Sequence, residues 1–280
     1  MRSFLSGRRE APAGTQTRRT RISSFRAKQN HITGFRPTTL VKSLLAAPAF
    51  VSDWFKYQRL NTNPSFRLRV KEAFPILTDR RASAGFMETH YFHQDLWAAR
   101  KVFSNRPVQH IDIGSRVDGF VAHLLTFMPV TIVDIRPMAS TVEGLTFLQD
   151  DATSLSMMQK DSVLSLSSLH AAEHFGLGRY SDPIDPDACF KFMHALEHVL
   201  APGGKLYFSV PVGRERVEFN AHRVFSPGTI LQHFSRLRLE SFSFVGDDGL
   251  LYQHADPLEM PDNEMACGLF EFTKAAEFTP

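Results

Sequence analysis

The ten residues His110–Gly119, HIDIGSRVDG, restrict this chain more than any other stretch. Val108, Ile111 and Ile113 are β-branched residues in a short run that Gly114 breaks, which is how a buried strand reads when it ends in a tight turn. Phe120, Val121, Leu124 and Leu125 then recur at helical spacing, so the segment reads strand, glycine turn, helix. In an open α/β sheet such a turn faces the crevice beyond the carboxyl ends of the strands, where ligands lie. Gly114 and Gly119 permit close backbone approach, and the helix start offers N–H groups to a nucleotide-like ligand. A G-x-x-x-x-G pair by itself serves a plain strand–helix turn equally well.

The chain beyond this turn keeps alternating. Apolar runs at Val130–Val133, Leu145–Leu148 and Val163–Leu169 end at Asp134, at Gln149-Asp150-Asp151 and at His170. A helix follows, with Asp185 as its expected N-cap, Pro186 in its first position, and Cys189, Met193, Leu196 and Leu200 on its apolar face. Ala201-Pro202-Gly203-Gly204 stops it, and a strand runs from Lys205 to Val210. Ser226-Pro227 opens a further helix carrying Ile230, Leu231 and Phe234. Ser241–Val245 and Leu269–Thr273 have only an acidic loop between them and read as an antiparallel hairpin on the sheet edge. Strands alternating with helices predict a doubly wound, mostly parallel α/β sheet. Upstream, THYFHQDLWAAR over Thr89–Arg100 predicts a helix whose face Tyr91, Gln94 or Asp95, and Ala98 closes over the first turn or simply faces the core.

Composition narrows the class. The 280 residues, 43% hydrophobic and 22% charged, suffice for a full core, and no apolar run reaches the roughly 20 residues that span a bilayer. Two cysteines make no disulfide framework and point to a reducing compartment. The net charge of +3 is unevenly spread: residues 1–40 hold nine basic residues against Glu10, leaving the remainder near −5. The basic character belongs to the tail and argues against a nucleic-acid-binding fold. The expected organisation is a disordered or targeting segment over 1–38, a helical extension over 39–106 and a Rossmann-like domain over 107–280. The Arg- and Ser-rich start is compatible with a transit peptide to an organelle matrix; without one the protein reads as cytoplasmic and soluble.

The order of motifs resembles the class I S-adenosylmethionine-dependent methyltransferases, whose seven-stranded sheet ends in such a hairpin, over about Gln109–Lys274. HIDIGS stands where that family has an acid, a spacer and a glycine, and IVDIRP puts Asp134 where its ribose-binding acid ends strand two. FLQDDATSL puts Asp151-Ala152 where an acid meets the adenine amino group, and LAPGGKLYFSVP is similar to the turn into strand five. HYFHQDLWAAR, DIGSRVDGF and EHFGLGRYSDPIDP are together similar to an uncharacterised methyltransferase-like family. The resemblance implies S-adenosylmethionine as cofactor, held by Asp112, Gly114, Ser115, Arg116, Asp134, Ile135, Asp151 and Ala152. Asp134 stands 20 residues after Gly114, a spacing that also suits a dinucleotide enzyme, but the G-x-G-x-x-G of those enzymes is absent. Arg116 and Asp118 occupy positions where the methyltransferase turn carries glycine. Arg116 either crowds the methionine end of the cofactor or holds its carboxylate.

Catalytic candidates follow strand four in SLHAAEHFGLGRYSD, with His222 later in EFNAHRVFS. No Asn/Asp-Pro-Pro-aromatic motif is present, which argues against amino methylation of nucleic acid. At helical spacing His170, Glu173 and His174 share a face. With His222 they are similar to the set by which some class I methyltransferases bind a divalent metal and orient a hydroxyl pair. Without a metal, His170, His174 or His222 serves as general base for an acceptor hydroxyl, since an ordinary imidazole accepts a proton near pH 7. All four also suit a purely structural loop. Arg214, Arg216, Asn220 and Arg223 surround His222 and suit either an anionic acceptor or solvent. The function expected is O-methylation of a small-molecule or glycan-like hydroxyl; the alternative is a binding or scaffold protein that keeps the fold and has lost catalysis.

Overall fold

The computed structural model describes residues 37–77, 80, 89–139 and 141–275, so the basic segment 1–38 lies outside the described residues but for its last two. The chain divides into two compact units, Met1–Phe86 and Met87–Pro280. In the first, helix α1 (Pro37–Leu60) contains Pro48 and leaves Leu44, Leu45 and Phe55 exposed. Two short 3-10 turns follow, Pro64–Phe66 and Val70–Glu72. No described helix is long and apolar enough to cross a membrane.

The second unit is one sheet with helices on both faces. Its strands are β1 (His110–Ile113), β2 (Val130–Asp134), β3 (Leu145–Gln149), β4 (Val163–Leu169), β5 (Leu200–Val212), β8 (Leu237–Val245), β9 (Leu251–Tyr252) and β10 (Ala266–Lys274); β6 (Arg216–Glu218) and β7 (His222–Val224) form a separate hairpin. The sheet order is β3-β2-β1-β4-β5-β10-β8-β9, parallel from β3 to β5 and antiparallel beyond. Eight strands replace the seven expected because the two-residue β9 adds to the outer edge of β8. The terminal hairpin is also not wholly peripheral: β10 inserts between β5 and β8, and its residues Ala266–Thr273 are all buried. Burial on both faces explains its nearly continuous apolar reading, AC-GLF-EF.

Neighbouring residues of the inner strands serve opposite faces. Leu206, Phe208 and Val210 pack with Phe192, Met193, Leu196 and Val199 of helix α4 (Ala188–Val199), whereas Tyr207 packs with Trp97, Ala98 and Val102 of helix α2 (Thr89–Asn105). That period of two is what a doubly wound sheet requires. Helix α4 starts two residues later than Pro186, because the Asp185 carboxylate accepts from the Asp187 N–H (3.0 Å) and the Asp185 carbonyl from Ala188 (3.1 Å), closing a turn first. After β1 the chain makes one π-helical turn, Val117–Val121, before the short helix α3 (Ala122–Leu124). Helix α5 (Pro227–His233) is capped by Ser226, whose hydroxyl accepts from the Gly228 N–H at 3.1 Å.

Connections run outward from β1 to β3, then return to β4 on the other side of β1. The crevice at that reversal lies between the carboxyl ends of β1 and β4. A Cβ added to Gly114, at φ +71°, would stand 3.0 Å from the Ala171 Cβ just past β4, so the two strand ends abut.

Candidate active site at the carboxyl edge of the sheet

The β1 turn is braced from beneath. Asp112 is fully buried and accepts from Ser115 Oγ (2.7 Å), from the Ser115 N–H (3.3 Å) and from Ser167 Oγ. Ser115 Oγ in turn accepts from the Leu169 N–H at 3.0 Å, tying the turn to β4. His110 lies below, between Ser165 Oγ (2.7 Å) and Ser167 Oγ (2.8 Å), its pKa pushed down to about 3 by burial. Burial lifts the Asp112 carboxyl to about 6, against hydrogen bonds from Ser167 and Ser115 that pull the other way. Asp112 and Ser115 thus shape the turn from its inner side. Gly119 is small for a different reason than ligand approach: a Cβ there would lie 2.2 Å from Asp95 Oδ2 of α2.

Helix α2 does both of the things its spacing left open: Trp97, Ala98 and Val102 face the core, while Tyr91 and Asp95 lie against the turn. Tyr91 lies 5.1 Å beneath the Arg116 guanidinium, which also pairs with Asp118 at 3.0 Å. Gln94 is buried, accepts from Ser209 Oγ at 2.5 Å and donates to Asp95 at 3.1 Å. Burial raises the Asp95 pKa, with Gln94, His123 and Arg116 opposing. Two open grooves on the molecule lie elsewhere, one lined by His93, Trp97, Lys101 and Glu271, the other by Arg214, Pro227, Leu258 and Asp262. Neither includes a residue of the turn.

At the end of β2, Asp134 is held by a residue that the sequence reading passed over. Arg136 donates through Nε to Oδ1 (2.9 Å), through Nη2 to Oδ2 (2.6 Å) and through its backbone N–H to Oδ1 (2.8 Å). An Asp-x-Arg just past a strand places both side chains on one side of an extended backbone, which was the available signal. Ile135 between them is 47% exposed. At the end of β3, Asp150 is buried and consumed by its own loop, accepting from Ser156 Oγ (3.2 Å), Met157 N–H (3.0 Å) and Asp151 N–H (2.8 Å). Asp151 stays exposed, with one oxygen accepting from the backbone N–H and hydroxyl of Thr153, and Ala152 behind it is buried. Of the two acids, Asp151 is the one a ligand can reach.

Past β4 the acid–base residues gather without forming the helical face expected of them. His170 takes φ +53° before the short 3-10 turn Ala172–His174, so it sits at the strand end instead of on a helix. Glu173 Oε1 lies 3.5 Å from His170 Nδ1 and 3.8 Å from His174 Nε2, with its side chain only 2% exposed. Burial raises the Glu173 carboxyl to about 8. Burial lowers His170 to about 3 and His174 to about 4, with the other imidazoles contributing. His174 Nδ1 donates to the Ala221 carbonyl at 2.7 Å. His222, on β7, faces Glu218 at 3.9 Å and is near enough to depress both other histidines. The expected metal set of His170, Glu173, His174 and His222 does not form. Among the described residues no group of three or more His, Cys, Asp or Glu side chains is placed to hold an ion. His174 spends one nitrogen on a carbonyl, and His222 turns toward its own hairpin.

The basic loop also divides. Arg223 is buried and donates to the carbonyls of Phe175 (2.6 Å), Pro186 (3.1 Å) and Glu173 (3.5 Å), so it builds the loop. Arg216 pairs with Glu218 at 3.1 Å and donates to the carbonyls of Arg214 and Glu264. Arg214 and Asn220 are exposed.

Three features now stand together: a reversal between β1 and β4, an acid closing β2, and an antiparallel last strand slotted beside β5. The fold is that of the class I methyltransferases. A family described as "Caenorhabditis protein of unknown function, DUF268" matches residues 145–243, from β3 into β8. No curated protein sequence matches the chain. Among solved structures it is similar to the YcgJ protein of Bacillus subtilis (14% identity, 65% of this chain and 98% of that one, TM-score 0.47). It is similar also to the 1,6-didemethyltoxoflavin-N1-methyltransferase of Burkholderia thailandensis with bound S-adenosylhomocysteine (15% identity, 66% and 79%, TM-score 0.45). A third is the N-methyltransferase NodS of Bradyrhizobium japonicum, likewise with S-adenosylhomocysteine (14% identity, 65% and 86%, TM-score 0.45).

Proposed function

We propose that the protein is an S-adenosylmethionine-dependent methyltransferase acting on a hydroxyl of a small-molecule or glycan-like acceptor. The observation that carries this reading is the closeness of two different sites at one sheet edge: the β1 turn, and the buried His170–Glu173–His174 group just past β4. In this reading Asp134 at the end of β2 accepts the ribose hydroxyls and the exposed Asp151 the adenine amino group, with the exposed Ile135 as an apolar surface beside Asp134. Asp95 and Arg116 offer opposite charges above the turn, suited to the ammonium and carboxylate of the cofactor's amino-acid end. When bound, the cofactor supplies an activated methyl group on a sulfonium.

What remains for the chain is alignment and one proton. His170 Nε2 is buried with no hydrogen-bond partner among the described residues, while Nδ1 faces Glu173. With its pKa lowered, this imidazole is neutral at pH 7 and presents a lone pair. An acceptor hydroxyl placed at Nε2 would give its proton to His170. Glu173, protonated at neutral pH, would pass its own proton to the Nε2 of His174, 3.8 Å away, leaving a carboxylate to balance the charge on the new imidazolium. Such hydrogen bonds are commonly long in a ligand-free site and tighten around substrate. His174, tied to Ala221, and His222 on the adjoining hairpin would orient the acceptor.

Calorimetric titration of the full chain with S-adenosylmethionine and S-adenosylhomocysteine, against NAD as control, tests the reading. Binding of the first two alone supports it, and a folded protein that binds neither overturns it. The second reading, a binding protein that has lost catalysis, is favoured by one observation: Arg136 already engages both oxygens of the ribose-binding acid.

A further inference from the structure

The Arg136 guanidinium makes two contacts at once. Besides gripping Asp134, it lies 4.7 Å from the centre of the Tyr180 ring. The Arg179 guanidinium lies 5.2 Å from the same ring. Arg179 is exposed and has no carboxylate within ion-pair distance among the described residues; its Nη1 donates to the Ala221 carbonyl at 3.0 Å and stands 3.3 Å from His174 Nδ1. Two cations therefore share one half-exposed aromatic ring, spanning from the end of β2 to the edge of the histidine group. Burial is the main cause of the low His174 pKa, and both guanidinium charges add to it, as their closeness requires. Asp182, the nearest carboxylate in this loop, is turned inward, accepting from the N–H groups of Gly176, Gly178 and Tyr180. Among the described residues Asp134 is the one carboxylate in ion-pair contact with either guanidinium, and it pairs with Arg136.

That pairing conflicts with cofactor binding. The Asp134 side chain is 17% exposed, and Arg136 occupies its two oxygens. The guanidinium is half exposed and keeps a second site over the Tyr180 ring, and two hydroxyls donating to the carboxylate make charge-assisted hydrogen bonds in its place. Ribose hydroxyls arriving at Asp134 would displace the guanidinium, and the Tyr180 face would keep it close by.

We propose that Arg136 and Arg179, gathered on Tyr180, bind an oxyanion of the acceptor, a phosphate or carboxylate, and that cofactor binding at Asp134 releases Arg136 into this site. The proposal rests on the methyltransferase reading. It identifies the acceptor as anionic and makes the cofactor the first ligand to bind.

The test is calorimetry on the full chain, wild type, Arg136→Met and Arg179→Met, each first shown by a cooperative thermal melt to be folded. S-adenosylhomocysteine should bind Arg136→Met up to about fivefold more tightly than wild type, since the competing ion pair is gone. Inorganic phosphate or acetate should bind wild type more tightly in the presence of S-adenosylhomocysteine than in its absence, and both variants should lose that gain. The anion that shows the gain tells a phosphorylated acceptor from a carboxylated one. Equal S-adenosylhomocysteine affinity in wild type and Arg136→Met, or anion binding indifferent to both substitutions, overturns the proposal and leaves the methyltransferase reading standing. Failure of wild type and Arg136→Met alike to bind S-adenosylhomocysteine overturns both.

Discussion

Glu173→Gln is the sharpest probe of the buried acid–base group. The side chain is 2% exposed, and its carboxyl titrates at about 8 instead of 4.5 because burial penalises the charged form. Between those two values the folded protein holds a proton that the unfolded chain has released. Stability must therefore fall as pH rises through that window, by about 1.4 kcal/mol per pH unit where the difference is a full proton. Between pH 6.5 and 8 the folded group begins to ionise, and the accumulated loss comes to about 1–2 kcal/mol. Glutamine has nearly the same shape and stays neutral throughout. His170 and His174, lowered to about 3 and 4, are already deprotonated in the folded state across this range, and the unfolded histidines titrate alike in both proteins. Urea unfolding at half-unit pH steps, wild type against Glu173→Gln, isolates the one proton. The wild type should lose about 1–2 kcal/mol relative to the variant from pH 6.5 to 8. Parallel curves would refute a protonated Glu173, and with it the proposed charge balance around His170.

Three further outcomes are expected. Gly114→Ala should lower stability by about 1–3 kcal/mol in thermal melts, because φ +71° and an Ala171 Cβ 3.0 Å away both oppose a side chain; an unchanged Tm would contradict the turn geometry. Arg223→Met should cost about 2–4 kcal/mol in urea, since it leaves the carbonyls of Phe175 and Pro186 without their donor; wild-type stability would return Arg223 to a solvent or ligand role. Asp134→Asn should weaken S-adenosylhomocysteine binding tenfold or more by calorimetry, corresponding to about 1.4 kcal/mol, and equal affinity would move the ribose away from β2.

Much of this protein is written locally. Strand ends at Gly114, Asp134, Gln149 and Leu169 were legible because β-branched apolar runs stop at polar or glycine residues, and the cap at Ser226 because Ser-Pro is a local device. That α2 is a helix with one patterned face was legible, but not which of Tyr91, Gln94, Asp95 and Ala98 would meet the turn and which the core. What depends on distant segments meeting was not. The insertion of β10 between β5 and β8 is a matter of strand pairing, which no periodicity within β10 specifies. Asp150 and Asp151 are identical neighbours in sequence, and only the folded loop decides that one is buried and the other exposed. Arg223 and Arg179 look alike on paper, yet one meets buried carbonyls and the other shares the Tyr180 ring with Arg136. His170, Glu173 and His174 follow helical spacing, but φ +53° at His170 breaks the helix, and burial then sets their proton affinities. Sequence determined which chemistry is available at the sheet edge; desolvation and long-range contacts, which exist only after folding, decided which groups are charged, which are spent on structure, and which remain to act.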